Sequence, residues 1–192
     1  MSLRIKFNSE TTLYQGWSTL KEYIIDYTRR DGRTEQQTRE IYDSGDGAAV
    51  LLYNPSARTI LLIRQFRLPA LLNGHPDGFI LECCAGMLDE LNPEQAIIKE
   101  IEEETGYKVT EVAKVYEAFA TPGAHKEKIH FYTAQYDDSM KKHAGGGDIS
   151  EQEDIEILEY RYDQIPDLLT SGAIIDAKTI ILLQWAIMKL VY

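Results

Sequence analysis

The stretch from Ala85 to Tyr107 constrains this chain most, because it reads as a glycine turn, an acidic loop and a short helix with marked ends. Asn92 suits the N-cap position, and Pro93 suits the first position within a helix. Gly106 can adopt the left-handed conformation that ends a helix. The sequence therefore predicts one helix bounded by Asn92 and Gly106.

This predicted helix has two different faces. Glu100 and Glu104 lie four residues apart on one face with Glu103 beside them, whereas Ile97 and Ile101 belong to an apolar stripe. Like charges at this spacing destabilise a helix, but a hard divalent cation requires such a cluster of oxygen atoms. A metal-binding face is one interpretation, and a solvated acidic helix is the other.

Composition and net charge limit the classes of partner that the chain can bind. The chain has 192 residues, enough for one sizeable core, and its net charge of -11 opposes binding to nucleic acid or to an anionic membrane. No apolar run reaches the ~18 residues of a membrane span, and the N-terminus lacks an apolar leader. Cys83 and Cys84 lie in an apolar run and are expected to be buried, reduced thiols. We therefore expect a cytoplasmic protein.

The region 1–44 is expected to form an antiparallel β-hairpin. Residues 20–28 and 34–42 flank Asp31-Gly32, a common hairpin turn. An isolated hairpin is marginally stable in water, so its apolar face must be covered. Large side chains such as Trp17 suit contact with a second subunit, although packing on the chain's own domain is the alternative.

The region 45–192 alternates short apolar strands with turns around the helix after Asn92 and ends in a helix near 177–190. This order predicts an α/β fold, an α/β/α sandwich with a mixed sheet. No linker is long enough to separate two independent domains. The chain is thus expected to comprise a hairpin extension, 1–44, and one domain, 45–192.

The glycine turn, the acidic loop and the sequence Lys-Glu-Ile-x-Glu-Glu-x-Gly-Tyr together resemble the box motif of the Nudix hydrolase family, G-x5-E-x7-R-E-U-x-E-E-x-G-U, in which U is aliphatic. Lys99 stands at the arginine position, and Tyr107 replaces the last aliphatic residue. The loop is one residue short, so the first glutamate of the motif falls near Asn92. The resemblance implies the same α/β/α fold.

The resemblance also implies a metal site made of oxygen atoms. Mg²⁺ is the expected cofactor, with Mn²⁺ possible. Glu103 is a further, bridging candidate, and Glu151 is the expected base that takes or steers a proton. The glycines at 145–147 are expected to let the loop with Glu151 close over substrate. The implied metal ligands are the carbonyl of Ala85 and the carboxylates of Glu100, Glu104 and Glu153.

Substrate contacts are expected in several segments. Arg67, at the end of a predicted strand, can fork onto a diphosphate, and Trp17 can stack on a purine. The resemblance implies that the N-terminal contacts reach the nucleotide of the partner chain in a homodimer with swapped hairpins. The further expected contacts are Thr38, Arg39, Glu40, Gly86, Met87, Glu127, Gln152 and Lys178.

Over nearly its whole length the chain is most similar to the family branch that acts on GDP-mannose and ADP-sugars. This implies hydrolysis of the pyrophosphate bond of GDP-mannose, which yields GMP and mannose 1-phosphate. ADP-ribose is the alternative substrate. A second alternative is an inactive domain that senses nucleotides, although the intact Glu100, Glu103 and Glu104 argue against it.

Overall fold

The computed structural model describes residues 4–88 and 90–191. The chain divides into two compact units. One unit comprises Met1–Asp46 and Ala118–Ile129, and the other comprises Gly47–Glu117 and His130–Tyr192. The segment 118–129 belongs with the first unit because Tyr42 exchanges backbone hydrogen bonds of 2.9 Å with Ala124 and Lys126.

The first unit contains a three-stranded antiparallel sheet in the order β1-β2-β3. The predicted hairpin is confirmed as β2 and β3, whose register pairs Thr28 with Thr34 across a turn that places Gly32 at φ 87°. A third strand, β1, was not expected as a separate element. The strands are β1 (Ile5–Gln15), β2 (Thr19–Thr28) and β3 (Thr34–Asp43).

The second unit is organised by a seven-stranded sheet. Its path is β10-β5-β4-β9-β8, while β6 pairs with β5 and β7 pairs with β4. The expected mixed sheet of an α/β fold is confirmed. The strands are β4 (Gly47–Asn54), β5 (Thr59–Phe66), β6 (Phe79–Glu82), β7 (Cys84–Met87), β8 (Ala113–Phe119), β9 (Lys128–Gln135) and β10 (Glu156–Arg161).

In the part of the chain that the structure describes, four α-helices accompany this sheet: α1 (Leu68–Leu72), α2 (Pro93–Glu100), α3 (Ile165–Thr170) and α4 (Ala177–Ala186). Two of them continue as π-helical turns, α2 through Ile101–Thr105 and α4 through Ile187–Val191. Within the described residues, no helix is long and apolar enough to cross a membrane.

The core fixes the position of α2 on the sheet. Val50 and Leu52 of β4 are fully buried and belong to the same apolar cluster as Ile97 and Ile101. The predicted apolar stripe of the helix therefore packs against the sheet, and the neighbouring acidic face lies beside β7. Both cysteines are free and buried, as expected.

Candidate active site

The helix after the acidic loop begins and ends where the sequence predicts. The side chain of Asn92 accepts a hydrogen bond of 3.0 Å from the amide of Gln95, and Pro93 occupies the first turn. Gly106 adopts the left-handed conformation at φ 75°. The last turn, Ile101–Thr105, is π-helical, a geometry that is frequent at functional sites. This wider turn carries Glu103 and Glu104.

Glu104 is a buried carboxylate of the candidate site, with 1% of its surface exposed. Its Oε2 accepts a hydrogen bond of 3.2 Å from the amide of Ala85, whereas Oε1 is buried and has no partner among the described residues. Burial raises its pKa to about 8, and the charges of Glu100 and Glu153 act in the same direction. A buried carboxylate is stable in its charged form only when it is paired, and a cation would supply that pairing.

Glu100 lies one helical turn earlier, beside the glycine of β7. A Cβ atom at Gly86 would overlap its carboxylate, so the glycine leaves room for the Glu100 side chain beside the strand. Burial raises the pKa of Glu100 to about 7; the charge of Lys99 lowers it, and the charges of Glu103, Glu153 and Glu151 raise it. Backbone pairing of Ala85 with Ala49 in β4 holds this strand on the core.

The donor set fits a hard divalent cation. It consists of oxygen atoms, it contains one orphaned buried carboxylate oxygen, and burial raises the pKa values of its two helical carboxyl groups. In the described part of the chain, no three acidic, histidine or cysteine side chains already converge as metal ligands. The fit therefore rests on Glu100, Glu104 and the neighbouring backbone.

Glu103 and Glu153 are engaged elsewhere. Glu103 accepts a hydrogen bond of 2.7 Å from the Nζ of Lys99, which stands at the arginine position of the motif. Glu153 accepts a hydrogen bond of 2.9 Å from the amide of Asp148. Glu153 nevertheless raises the pKa of both helical carboxylates, so it lies within electrostatic reach of them.

The loop before β10 holds the expected base. Glu151 is exposed at the end of a 3₁₀ turn, Ile149–Glu151, and Gln152 follows at a left-handed φ of 62°. Met87, at the end of β7, is also exposed and follows Gly86 directly. These residues belong to the same unit as α2, so this unit contains every expected metal ligand and the expected base.

Arg67 is held by a carboxylate that the sequence analysis missed. Its Nε and Nη2 donate hydrogen bonds of 2.8 and 3.0 Å to the two oxygens of Glu82, whose side chain is 2% exposed. Burial lowers the pKa of Arg67, but the hydrogen bond and charge of Glu82 outweigh it and the pKa is raised. A charged residue within the apolar run before Cys83 was the available signal, because unpaired carboxylates are rarely buried.

Lys178 is held in a similar way at the start of α4. Its Nζ donates to Asp176 at 2.6 Å and lies 3.9 Å from Oε2 of Glu82. Asp176 also accepts hydrogen bonds from the amide and hydroxyl of Thr179. The hydroxyl of Thr179 accepts a bond of 2.7 Å from the amide of Cys83, so α4 is tied to the strand junction beside Glu82.

The remaining expected contacts lie in the first unit. Trp17 is 75% exposed, and Thr38, Arg39 and Glu40 are exposed on β3. Arg39 donates to the carbonyl of Thr38 at 2.9 Å and to the side chain of Gln37 at 2.8 Å.

Glu127 belongs to the same unit, and its carboxylate lies 3.5 Å from Nδ1 of His125. The Nε2 of His125 in turn lies 3.0 Å from the hydroxyl of Ser44. The first unit contains Trp17, Thr38, Arg39, Glu40 and Glu127, whereas the acidic helix belongs to the second unit.

Comparison with protein-family models gives two adjoining matches. Residues 43–183 match the model described as NUDIX domain, and residues 4–42 match the model described as GDP-mannose pyrophosphatase NudK N-terminal domain. The two matched segments adjoin at residues 42 and 43.

Individual relatives agree with these matches. The chain is 44% identical over 189 residues to the GDP-mannose pyrophosphatase of Pectobacterium atrosepticum, a match that covers 98% of this chain and 97% of the relative. The GDP-mannose pyrophosphatase of Cronobacter sakazakii is also 44% identical, over 96% of this chain and 95% of its own. Among solved structures, an ADP compounds hydrolase superposes with a TM-score of 0.70, covering 96% of this chain and 95% of that chain. At 16% sequence identity this last likeness establishes the fold alone.

Proposed function

Because the chain belongs to the Nudix hydrolase family, we propose that it hydrolyses the pyrophosphate bond of GDP-mannose to yield GMP and mannose 1-phosphate. The observation that carries this proposal is the 44% identity to GDP-mannose pyrophosphatases over nearly the full length of both chains. The match includes the N-terminal region, which is specific to that branch by its description.

Mg²⁺ or Mn²⁺ would be held by the carbonyl of Ala85 and the carboxylates of Glu100, Glu104 and Glu153. A bound divalent ion supplies positive charge that neutralises a diphosphate and promotes the ionisation of water. The buried Oε1 of Glu104 supports this assignment, because no group in the described residues satisfies it. The raised pKa values of Glu100 and Glu104 mean that ionisation of these groups and binding of a cation favour each other.

Glu151 accepts the proton of the attacking water, because it is an exposed carboxylate on the loop that also carries Glu153. The new bond joins the water oxygen to one phosphorus, and the bond from that phosphorus to the bridging oxygen breaks. The leaving phosphate carries the bridging oxygen away as a phosphate monoester. Glu103, which is paired with Lys99, is a further, bridging candidate for the metal site.

Arg67 and Lys178 supply fixed positive charge for the diphosphate. Glu82 orients the guanidinium through Nε and Nη2, and no acceptor for Nη1 lies among residues 4–88 and 90–191. Asp176 orients the ammonium group of Lys178. Since both cations keep raised pKa values despite burial, both remain charged when substrate arrives. Gly86, Met87 and Gln152 add contacts around the same strand end and loop.

The protein acts as a homodimer in this proposal, in the cytoplasm. The first unit contacts the nucleotide through Trp17, Thr38, Arg39, Glu40 and Glu127. The N-terminal residues among them reach the nucleotide of the partner chain, because the hairpins are swapped. The exposed apolar side chains of β1 support a covered surface, because exposed apolar patches on a folded protein commonly mark interaction sites. The two free, buried cysteines support a reducing compartment.

A direct assay separates the candidate functions. The protein is incubated with GDP-mannose and with ADP-ribose, with Mg²⁺ or with a chelator, and the products are identified by anion-exchange chromatography. We expect GMP and mannose 1-phosphate to form from GDP-mannose only when Mg²⁺ is present. A preference for ADP-ribose would overturn the substrate assignment, and tight nucleotide binding without cleavage would make the protein a sensor.

A further inference from the structure

A glycine segment, Gly145–Gly147, lies against the end of the acidic helix. The amide of Gly146 donates a hydrogen bond of 2.9 Å to the carbonyl of Glu104, and the amide of Gly147 donates one of 3.2 Å to the carbonyl of Glu103. Helices leave their last carbonyls without partners inside the helix. The glycine segment therefore caps the turn that carries these two glutamates.

All three glycines have positive φ angles, of 74°, 111° and 86°. Side chains of L-residues rarely adopt this region. The space around the three differs, however. A Cβ atom at Gly145 would lie 2.6 Å from the carbonyl oxygen of Glu104, and one at Gly147 would lie 2.5 Å from Oε2 of Glu153. At Gly146 the nearest atom would be 3.9 Å away, so only the middle position has room for a side chain.

The same segment closes the loop that follows it. The amide of Ile155 donates a hydrogen bond of 3.2 Å to the carbonyl of Gly146, so this bond joins the two ends of the loop. Inside the loop, Asp148 accepts a hydrogen bond from the amide of Glu153 at 3.2 Å and donates its own amide to the Glu153 carboxylate at 2.9 Å. The position of Glu153 therefore follows the position of the glycine segment.

We propose that Gly145–Gly147 is a positioning element that fixes the loop carrying Glu151 and Glu153 onto the helix carrying Glu100 and Glu104. Sequence alone suggested a flexible hinge, but the segment is held by hydrogen bonds to helix carbonyls and has room for a Cβ at one position in three. Two carboxylates that are 49 residues apart in sequence, Glu104 and Glu153, are thus kept in register by backbone contacts. The effect on catalysis rests on the proposed function, whereas the anchoring itself does not.

Alanine substitutions at Gly145 and Gly147 test the proposal. Gly172→Ala is the matched control, because its φ of +79° gives it the same backbone strain and no atom lies within 4 Å of the added Cβ. Amide hydrogen exchange of residues 143–155 is measured in the metal-free protein. In the wild type we expect the amides of Gly146 and Gly147 to be protected, and in Gly147→Ala we expect them to exchange at least about tenfold faster.

The Mg²⁺ concentration that gives half the maximal rate with GDP-mannose is then compared among the variants. We expect it to rise about tenfold in Gly145→Ala and Gly147→Ala, because displaced supporting groups typically cost that much in metal affinity. Gly172→Ala should stay near the wild type, at a melting temperature similar to that of Gly147→Ala. If Gly145→Ala fails to fold, Gly147→Ala decides.

Unprotected Gly146 and Gly147 amides in the wild type would overturn the proposal, as would equal behaviour of Gly172→Ala and Gly147→Ala. Absence of any cleavage by the wild type would instead refute the proposed function. In that case the exchange comparison in the metal-free protein still decides whether the segment anchors the loop.

Discussion

Strands β4 and β1 show how differently the two units of this chain are supported. β4 is buried at seven of its eight positions, whereas β1 is exposed along all 11 of its residues. The second unit therefore holds its own core, and that core can bury Glu104 and Glu82. The first unit displays large apolar side chains, including Phe7 at 70% exposure, without a core of that kind. We therefore expect catalysis in the second unit, where burial shifts the pKa values of carboxylates. We expect contact with a partner on the exposed apolar surface of the first unit.

The largest effect is expected at the acidic helix. Glu100→Gln keeps the size of the side chain but removes one charge from the metal site, so kcat for GDP-mannose in Mg²⁺ should fall at least about a hundredfold. Glu102→Gln is the matched control, because Glu102 lies on the same helix and its carboxylate lies 3.8 Å from Lys108. Steady-state kinetics check both variants. Equal rates for the two would place the chemistry outside this helix.

A smaller effect is expected where the second unit orients its cations. Glu82→Gln weakens the paired hydrogen bonds that hold Arg67, so KM for GDP-mannose should rise about tenfold with a smaller change in kcat. The control is Glu156→Gln, whose exposed carboxylate accepts a hydrogen bond of 3.5 Å from Arg64. The melting temperature of Glu82→Gln is measured alongside. An unchanged KM in this variant would show that the orientation of Arg67 by Glu82 does not contribute to substrate binding.

A substitution on the exposed face of β1 is expected to change the oligomeric state of the protein more than its fold. Phe7→Glu places a charge on a side chain that is 70% exposed in one chain, so the melting of the second unit should change little. If a second copy covers this face, the variant should become monomeric and bind GDP-mannose more weakly. Light scattering after size-exclusion chromatography measures the mass, and Thr12→Glu, also exposed on β1, is the control. A Phe7→Glu dimer would locate the interface elsewhere.

The smallest effect is a pH dependence of stability in the metal-free protein. The pKa of Glu104 is raised from 4.5 to about 8, so the folded protein keeps a proton that the unfolded chain releases. Stability is complete below the unfolded value and is lost as pH rises through the folded one. Since one pKa unit corresponds to about 1.4 kcal/mol, the free energy of unfolding should fall by at least ~1 kcal/mol between about pH 5 and about pH 8.

Thermal melting with a chelator measures this fall, and Mg²⁺ should reduce it by pairing with the ionised carboxylates. A free energy of unfolding that does not change with pH in the chelator would show that burial does not hold the proton on Glu104. Other carboxylates with lowered pKa values, such as Asp43 and Asp137, titrate below this window and do not offset the trend.

Local signals were enough to predict the acidic helix from sequence. Its cap, its first-turn proline and its terminal glycine act within a few residues, and all three are in place. The π-helical turn after Glu100 was not foreseen, because periodicity does not distinguish it from the α-helix before it. The apolar run that leads to the glycine turn forms two strands, β6 and β7, and the pairing partner changes at Cys83 from β5 to β4. Strand pairing of this kind depends on the whole sheet.

The partners of the site residues were also beyond sequence reasoning. Arg67 was recognised as a candidate for the diphosphate, but Glu82, which holds it, is 15 residues away in sequence. Gly145–Gly147 looked like a flexible run, because composition does not reveal that its amides meet the carbonyls of Glu103 and Glu104. Short-range chemistry could be predicted, whereas contacts between distant segments required the fold.

Glu104→Gln tests most directly whether the buried carboxylate serves catalysis and not the fold. Cleavage of GDP-mannose and thermal melting are measured on the same preparation, with Mg²⁺ for the first and a chelator at about pH 8 for the second. We predict that the Mg²⁺-dependent rate falls at least about a hundredfold while the metal-free variant melts at or above the wild-type temperature, since no charge is buried. A variant that cleaves GDP-mannose at the wild-type rate would contradict the assignment of Glu104 to the metal site.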